Sequence, residues 1–398
     1  MKKVILHINC MVILSGFGIS ILAQEGVSTS KVDFKGYLSL MPSLMKQSNV
    51  DSSLFETLLH NRLNFYWYPS SSVTASVQMR NRLIYGDFVR LGDVYKNTIS
   101  KDNGLMDLSF NLFSGDAYLL NSTIDRLWVD FTKKNLDIKI GRQRINWGQT
   151  FVWNPNDIFN TYNFFDFDYA ERPGSDAVRV QYYTGMASSF EGAVKMDSAK
   201  NVTAAGLFHF NKWNYDIQFL AGYYNSEDYV VGLGWSGAIK NAGFRGEMSY
   251  FHPQKDFSDT TGQFYSSVSL DYTFKNDLML NFEFYYSYIP PTFSYASFFD
   301  FYTGPMTIKN LAFTKYNFFG QVSYPITPLF KGTLSSMYFY DKKLNGFYLG
   351  PSLDLSVLEN LDLSLYVQFF SIGMKDPYTG EKLRQDTGLG FLRLKWNF

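Results

Sequence analysis

Residues 278–288 read Leu278-Met279-Leu280-Asn281-Phe282-Glu283-Phe284-Tyr285-Tyr286-Ser287-Tyr288. Leu278, Leu280, Phe282, Phe284, Tyr286 and Tyr288 fall on one parity; Asn281, Glu283 and Ser287 fall on the other. Neighbouring side chains of a strand point to opposite faces, so the segment builds an apolar face ending in tyrosines and a polar face. About ten residues of such alternation is the length of a tilted strand that crosses a bilayer, and terminal rings suit the membrane–water interface.

The same period recurs along the chain. Phe55, Leu59, Leu63, Phe65 and Trp67 oppose Glu56, His60, Arg62 and Asn64. Val73, Ala75, Val77 and Met79 oppose Thr74, Ser76, Gln78, Arg80 and Arg82, and the chain closes with Leu392, Leu394, Trp396 and Phe398 against Arg393, Lys395 and Asn397. A soluble sandwich also alternates, so the connections decide. Short ones at 69–72, 133–135, 274–277 and 358–360 alternate with long ones covering 86–121, 146–176, 252–263, 289–315 and 371–385. Short turns on one side and long loops on the other are the habit of transmembrane barrels.

Alternating segments lie near 32–45, 54–68, 73–85, 122–132, 136–145, 177–183, 189–196, 203–210, 215–224, 229–236, 244–251, 264–273, 278–288, 316–324, 330–340, 346–357, 361–370 and 386–398. The expectation is therefore a single all-β domain over 24–398, a closed antiparallel transmembrane β-barrel of about 18 strands. Lipid cannot satisfy an open sheet edge, so the barrel has to close. Pro42 and Pro351 fall inside two segments. A sheet tolerates proline mainly at bulges and strand starts, so sixteen strands is the alternative.

Composition agrees. Aromatic residues are 19% of the chain, and no segment after the N-terminal one offers the uninterrupted apolar run of a membrane helix. Lys plus Arg and Asp plus Glu both number 36, which leaves no basic excess for a nucleic-acid partner. Lys2 and Lys3 precede an apolar run from Val4 to Leu22, with Ile21 and Ala23 before Gln24. That reads as a signal peptide over 1–23. It carries Cys10, the sole cysteine. A signal peptide and a spanning β pattern together place the chain in the outer membrane of a Gram-negative bacterium. Its partners there are membrane lipid, small solutes and the barrel assembly machinery, and no cofactor is implied.

The terminal strand with Trp396 and Phe398 resembles the assembly signal of outer-membrane barrels. Gly141-Arg142-Gln143-Arg144-Ile145-Asn146-Trp147-Gly148, a long loop, then Arg172-Pro173-Gly174 is similar to a family of porin-like outer-membrane proteins of unknown function. There a strand bearing Gly-Arg-Gln leads into Ser-Trp-Gly, and Asn146 stands here at the serine's place. The resemblance implies a pore and leaves its substrate open; the family has been linked to passage of poorly soluble compounds.

Arginine marks the lumen. By parity Arg62, Arg80, Arg82, Arg126 and Arg179 point away from lipid. Arg142 and Arg144 share the parity of Leu136, Ile138 and Ile140, and a charge in lipid at mid-depth costs about 2–4 kcal/mol. A bulge at Gly141 that turns them inward, or a position above the bilayer, resolves the conflict. These seven arginines are expected to form one basic wall of a pore. Loop 146–176, with Trp147, Trp153, Asp157, Asp166, Asp168, Glu171 and Asp176, is expected to fold inward as the constriction. Its carboxylates would face the guanidiniums across the narrowest section, giving a weak preference for anionic solutes.

Rival readings are open at this point. The rings of the loop pack on themselves or form a stacking track. The loop acids lack the spacing of a calcium loop. His60, His209 and His252 lie far apart in sequence, outside any metal-ligand spacing. No nucleophile motif points to an enzyme. The alternative to a channel for small solutes is a plugged surface-binding or adhesion barrel that uses its long loops.

Overall fold

The computed structural model describes residues 31–398 apart from 49, 163, 166–170, 289–305, 313, 343 and 376–381. The expected signal segment, with Cys10, lies outside the described residues. In chain order the strands are β1 (Val32–Gln47), β2 (Leu54–Ser70), β3 (Val73–Gly86), β4 (Ser109–Ser114), β5 (Tyr118–Lys133), β6 (Leu136–Gln143), β7 (Ser175–Gly185), β8 (Ser188–Met196), β9 (Val202–Lys212) and β10 (Tyr215–Tyr224). They continue as β11 (Asp228–Ile239), β12 (Ala242–Pro253), β13 (Gln263–Thr273), β14 (Met279–Ser287), β15 (Tyr316–Thr327), β16 (Phe330–Tyr340), β17 (Leu344–Leu358), β18 (Leu361–Lys375) and β19 (Lys382–Asn397). Neighbours pair antiparallel, and β19 returns to β1 from Tyr37↔Asn397 to Gln47↔Thr387, which closes the sheet.

Eighteen of these strands make the wall. The nineteenth, β4, corrects the reading of 86–121 as plain loop. That region holds α1 (Asp87–Arg90), α2 (Asp93–Ser100) and β4. β4 pairs with β5 at Ser109↔Thr123, on the edge that β6 occupies lower down at Leu127↔Arg142. Sixteen strands is excluded, because Pro42 and Pro351 sit inside β1 and β17. Lacking an N–H, each interrupts the ladder to one neighbour without shifting it. Pairing resumes in register from Leu40↔Leu394 to Ser43↔Phe391, and from Leu349↔Phe369 to Ser352↔Tyr366.

Register carries the parity of the sequence into two faces. Leu40 lies opposite Leu59, Phe34 opposite Phe65 and Val32 opposite Trp67, all on the outside; Tyr37 lies opposite Arg62 and Ser39 opposite His60, both pairs buried inside. Within β14, Leu280 and Phe282 are exposed on the outer face while Glu283 and Tyr285 are fully buried. An apolar belt of this extent is unfavourable in water at about 25 cal/mol per Å² and belongs against lipid. The tight turns at 134–135, 213–214 and 240–241 contain residues with positive φ: Lys134 at 52°, Trp213 and Asn214 at 57° and 61°, and Lys240 at 57°. They lie on the side of the barrel where the chain ends, and the long connections lie on the other.

The interior is not polar throughout. Toward the loop side, β10–β18 turn inward Tyr224, Phe251, Tyr265, Tyr285, Phe319, Tyr348 and Phe370, none more than 9% exposed. Neighbours touch, with ring centroids 5.3 Å apart for Tyr224–Phe251 and 5.0 Å for Tyr348–Phe370. So many inward rings need an apolar partner within the lumen.

Candidate functional site: the inward loop and the cavity above it

The partner is the loop after β6. It runs over 144–174, so Asp176 is corrected from loop acid to second residue of β7. Asp166 and Asp168 lie outside the described residues. Two wall carboxylates hold the loop. Glu247 on β12 accepts hydrogen bonds from the backbone N–H groups of Gln149, Thr150 (2.8 Å) and Asn156 (2.9 Å), and from Thr150 Oγ1 (3.1 Å). Glu283 on β14 accepts from the N–H groups of Phe151 (2.8 Å), Val152 (2.9 Å) and Trp153 (2.7 Å), and from Ser267 Oγ (2.9 Å). Parity marks both as inward. Their grip on a loop about a hundred residues earlier leaves no sequence signal.

Rings complete the attachment. Trp153 stacks on Tyr285 at 5.6 Å, Phe151 and Phe164 meet Phe319, and Phe165 lies 5.1 Å from both Tyr348 and Phe370. Trp147 packs edge-on to Phe159 and donates its Nε1–H to Glu191 Oε1 at 2.7 Å. Trp147 and Trp153 are 2% and 4% exposed, so they pack the loop against the wall and offer no free stacking track. On the opposite wall, Glu171 accepts from Tyr37 Oη at 3.2 Å and lies 3.7 Å from Arg62, while Arg126 donates to the carbonyls of Glu171 (2.8 Å) and Arg172 (2.7 Å). The loop therefore touches both sides of the lumen.

The seven arginines separate into kinds. Arg62 lies 2.8 Å from Asp125 and Arg179 lies 2.8 Å from Glu191, so both are neutralised on the wall. Arg80 and Arg82 line the space above the loop, where Arg82 donates to Ile99 O and Asn121 Oδ1, each at 2.9 Å. Arg142 departs most from expectation. Gly141 has φ +116°, yet pairing stays in register on both sides, so the expected bulge is a glycine conformation without an inserted residue. A Cβ at Gly141 would lie 2.1 Å from Leu127 O. Arg142 is 3% exposed and pairs with Asp102 at 2.6 Å and Asp176 at 2.7 Å; it also donates to Met106 O at 2.6 Å. It is a clasp. β6 has only eight residues, fewer than the roughly 9–11 that span a bilayer. Segment 102–114 closes the wall above it, from β4 on β5 to the Gly104↔Asp197 bridge beyond β8.

Arg144 differs again, and Arg172, which was not among the expected seven, joins it. Arg144 donates to Asn146 Oδ1 at 3.2 Å, its Nε is buried without a partner, and Arg172 lies over the Tyr162 ring at 3.3 Å. Among the described residues, neither has a carboxylate within 4 Å. Burial and then the neighbouring Arg172 and Arg126 guanidiniums hold the Arg144 pKa below its ordinary value. Burial pushes the Asp157 carboxyl up to about 7 against the opposing effects of the Trp147 N–H and Arg144. Burial drives Asp157 toward neutrality while the Arg144 guanidinium keeps its charge, so the two do not form a strong ion pair with each other. The result is a cluster of Arg126, Arg144 and Arg172 at the neck of the loop.

Above the loop, on the side of the long connections, lies a cavity of about 940 Å³. Glu56, Arg80, Arg82 and Lys195 border it, with Met41, Leu58 and Ile84. Among the described residues no three His, Cys, Asp or Glu side chains gather as a metal-ligand group.

No protein-family model matches the chain, and no curated protein matches it. The resemblance carried by Gly141–Gly148 and Arg172–Gly174 rests on those residues alone. Solved structures do match in fold. Acinetobacter baumannii OccAB2 aligns with a TM-score of 0.57 at 8% identity, over 92% of this chain and 98% of that one. Pseudomonas aeruginosa OccK5 (OpdH) aligns at 0.56 and 10% identity, over 92% and 98%. Pseudomonas aeruginosa OpdK, in a structure with vanillate, aligns at 0.56 and 10% identity, again over 92% and 98%. At such identities the likeness is one of fold.

Proposed function

We propose that this chain is a porin-like channel of the Gram-negative outer membrane, through which small solutes diffuse with a weak preference for those bearing an anionic group. In this reading residues 1–23 direct export and 24–398 form the barrel. The assembly machinery recognises the last strand through Trp396 and Phe398, and the protein is not an enzyme. A barrel of eighteen strands is wide enough for an aqueous channel that eight strands would fill with side chains. The fold neighbours are outer-membrane porins, and the vanillate of the OpdK structure is a small carboxylate.

The observation that carries the anionic preference is the cluster of Arg126, Arg144 and Arg172. Among the described residues two of its guanidiniums, those of Arg144 and Arg172, have no carboxylate within 4 Å, and they stand where the loop crosses the lumen. Arginine stays charged at any working pH, and a narrow opening with low-dielectric walls focuses its field. The neutralised Arg62, Arg142 and Arg179 keep the preference weak. Replacing Arg144 and Arg172 together by glutamine should move the reversal potential in a salt gradient toward cation preference. A folded double variant with unchanged reversal potential removes this reading of selectivity.

The second reading is a plugged surface-binding barrel. The loop's contacts on both walls favour it. A folded barrel that passes no stable current would establish it over the channel.

A further inference from the structure

The cavity above the loop has a size and a lining that call for a particular occupant. Its volume of about 940 Å³ is at the top of the roughly 300–1,000 Å³ that small-molecule sites occupy. On one side β1, β2, β3 and β19 contribute Met41, Leu58, Ile84 and Leu389, and α2 contributes Ile99, an apolar patch beside Glu56, Arg80 and Arg82 of the same strands. The other side, from β8 and the loop, is polar and includes Lys195.

The charges around the cavity are mostly taken. Arg142 is held by Asp102 and Asp176, Asp125 by Arg62, and Asp197 by the backbone and side-chain amides of Asn201. Glu56 accepts the Tyr95 hydroxyl. Lys195 is different. Its Nζ donates to Phe159 O at 2.7 Å and lies 5.9 Å from the Phe159 ring centroid, and among the described residues no carboxylate comes within 4 Å. Asp157 and Asp197 act on this half-buried ammonium only from beyond ion-pair distance, and an arriving anion in direct contact would offset its burial.

We propose that this cavity binds an amphipathic monocarboxylate, its alkyl body against Met41, Leu58, Ile84 and Ile99 and its carboxylate at Lys195. This deepens the channel reading by naming a solute class. Binding in the cavity does not itself need an open pore, so the two stand or fall separately. A solute that is only a carboxylate leaves the apolar patch wet, and one that is only alkyl leaves Lys195 with the Phe159 carbonyl but no anion in contact. Each buried methylene should tighten binding by up to about fourfold.

Equilibrium dialysis of octanoate against the full barrel in lipid nanodiscs, with empty nanodiscs subtracted, tests this. The expected result is one saturable site, with butyrate and octan-1-ol at least tenfold weaker and acetate weaker still. Lys195→Met should weaken octanoate at least tenfold and leave octan-1-ol within twofold. Ile99→Asp, on a helix outside the wall, should weaken both. Unchanged octanoate binding in a folded Lys195→Met barrel overturns the proposal. If that variant does not fold, the intact protein decides: affinity that fails to rise from butyrate to octanoate overturns it. A barrel that conducts without binding octanoate removes this proposal alone, and one that binds without conducting removes the channel alone.

Discussion

Glu247, Glu283 and Asp157 decide how firmly the inward loop is held. A carboxylate that accepts three backbone N–H bonds forms charge-assisted bonds worth about 1.5–3 kcal/mol each to stability. Glutamine keeps one acceptor and presents an N–H₂ to the same donors. Glu283→Gln should therefore loosen residues 151–153 and raise open-channel current fluctuations; a record as quiet as the parent's would show that the rings alone hold the loop. Asp157 acts with the opposite sign. Its carboxyl is raised from an ordinary 3.8 to about 7, so its contribution is full below about pH 4 and lost as pH rises through about 7. Current fluctuations should increase from pH 5 to pH 8, and Asp157→Asn should flatten that dependence. Persistence of the full dependence in the variant would assign it elsewhere. The inward parity of Glu247 and Glu283 was readable. Their partners were not, because pairing across about 90 to 130 residues leaves no periodicity to read.

Strands were the most legible elements, because parity and turn residues act within one segment. Even Pro42 and Pro351 were compatible with it, each at the cost of a local gap in pairing. β4 was not legible. Its six residues Ser109–Ser114 are mostly exposed and pair along one edge only, so they show no clean two-faced pattern. Nor was Arg142, whose outward parity made sense only once segment 102–114 covered the end of β6. Arg142→Met leaves Asp102 and Asp176 facing each other without their cation, and breaking a buried pair costs about 3–5 kcal/mol. The segment should then open more readily, seen as faster tryptic cleavage at the exposed Lys101; equal rates in both proteins would mean that the bridge and β4 hold it without the clasp. At the other end of the chain, Phe398 and Gly36 exchange backbone hydrogen bonds at 2.9 and 3.0 Å, joining the last residue to β1. Deleting Trp396–Phe398 should remove the heat-resistant folded barrel from the outer membrane, and normal levels of it would deny these residues a part in closure.

Residues 32–398 form a closed barrel whose lumen is crossed by the loop after β6. Inward rings of β10–β18 and two buried glutamates take one side of that loop, and Arg62, Arg126 and Tyr37 meet its return on the other. The cavity lies above. On the proposed channel function, this division is what narrows a barrel of eighteen strands. Single-channel conductance in a planar bilayer tests it most directly, comparing the intact protein with a variant lacking residues 151–168. A stable small current is expected for the intact barrel, and at least a doubling after the deletion. An unchanged or smaller current through a correctly folded deletion variant would contradict it.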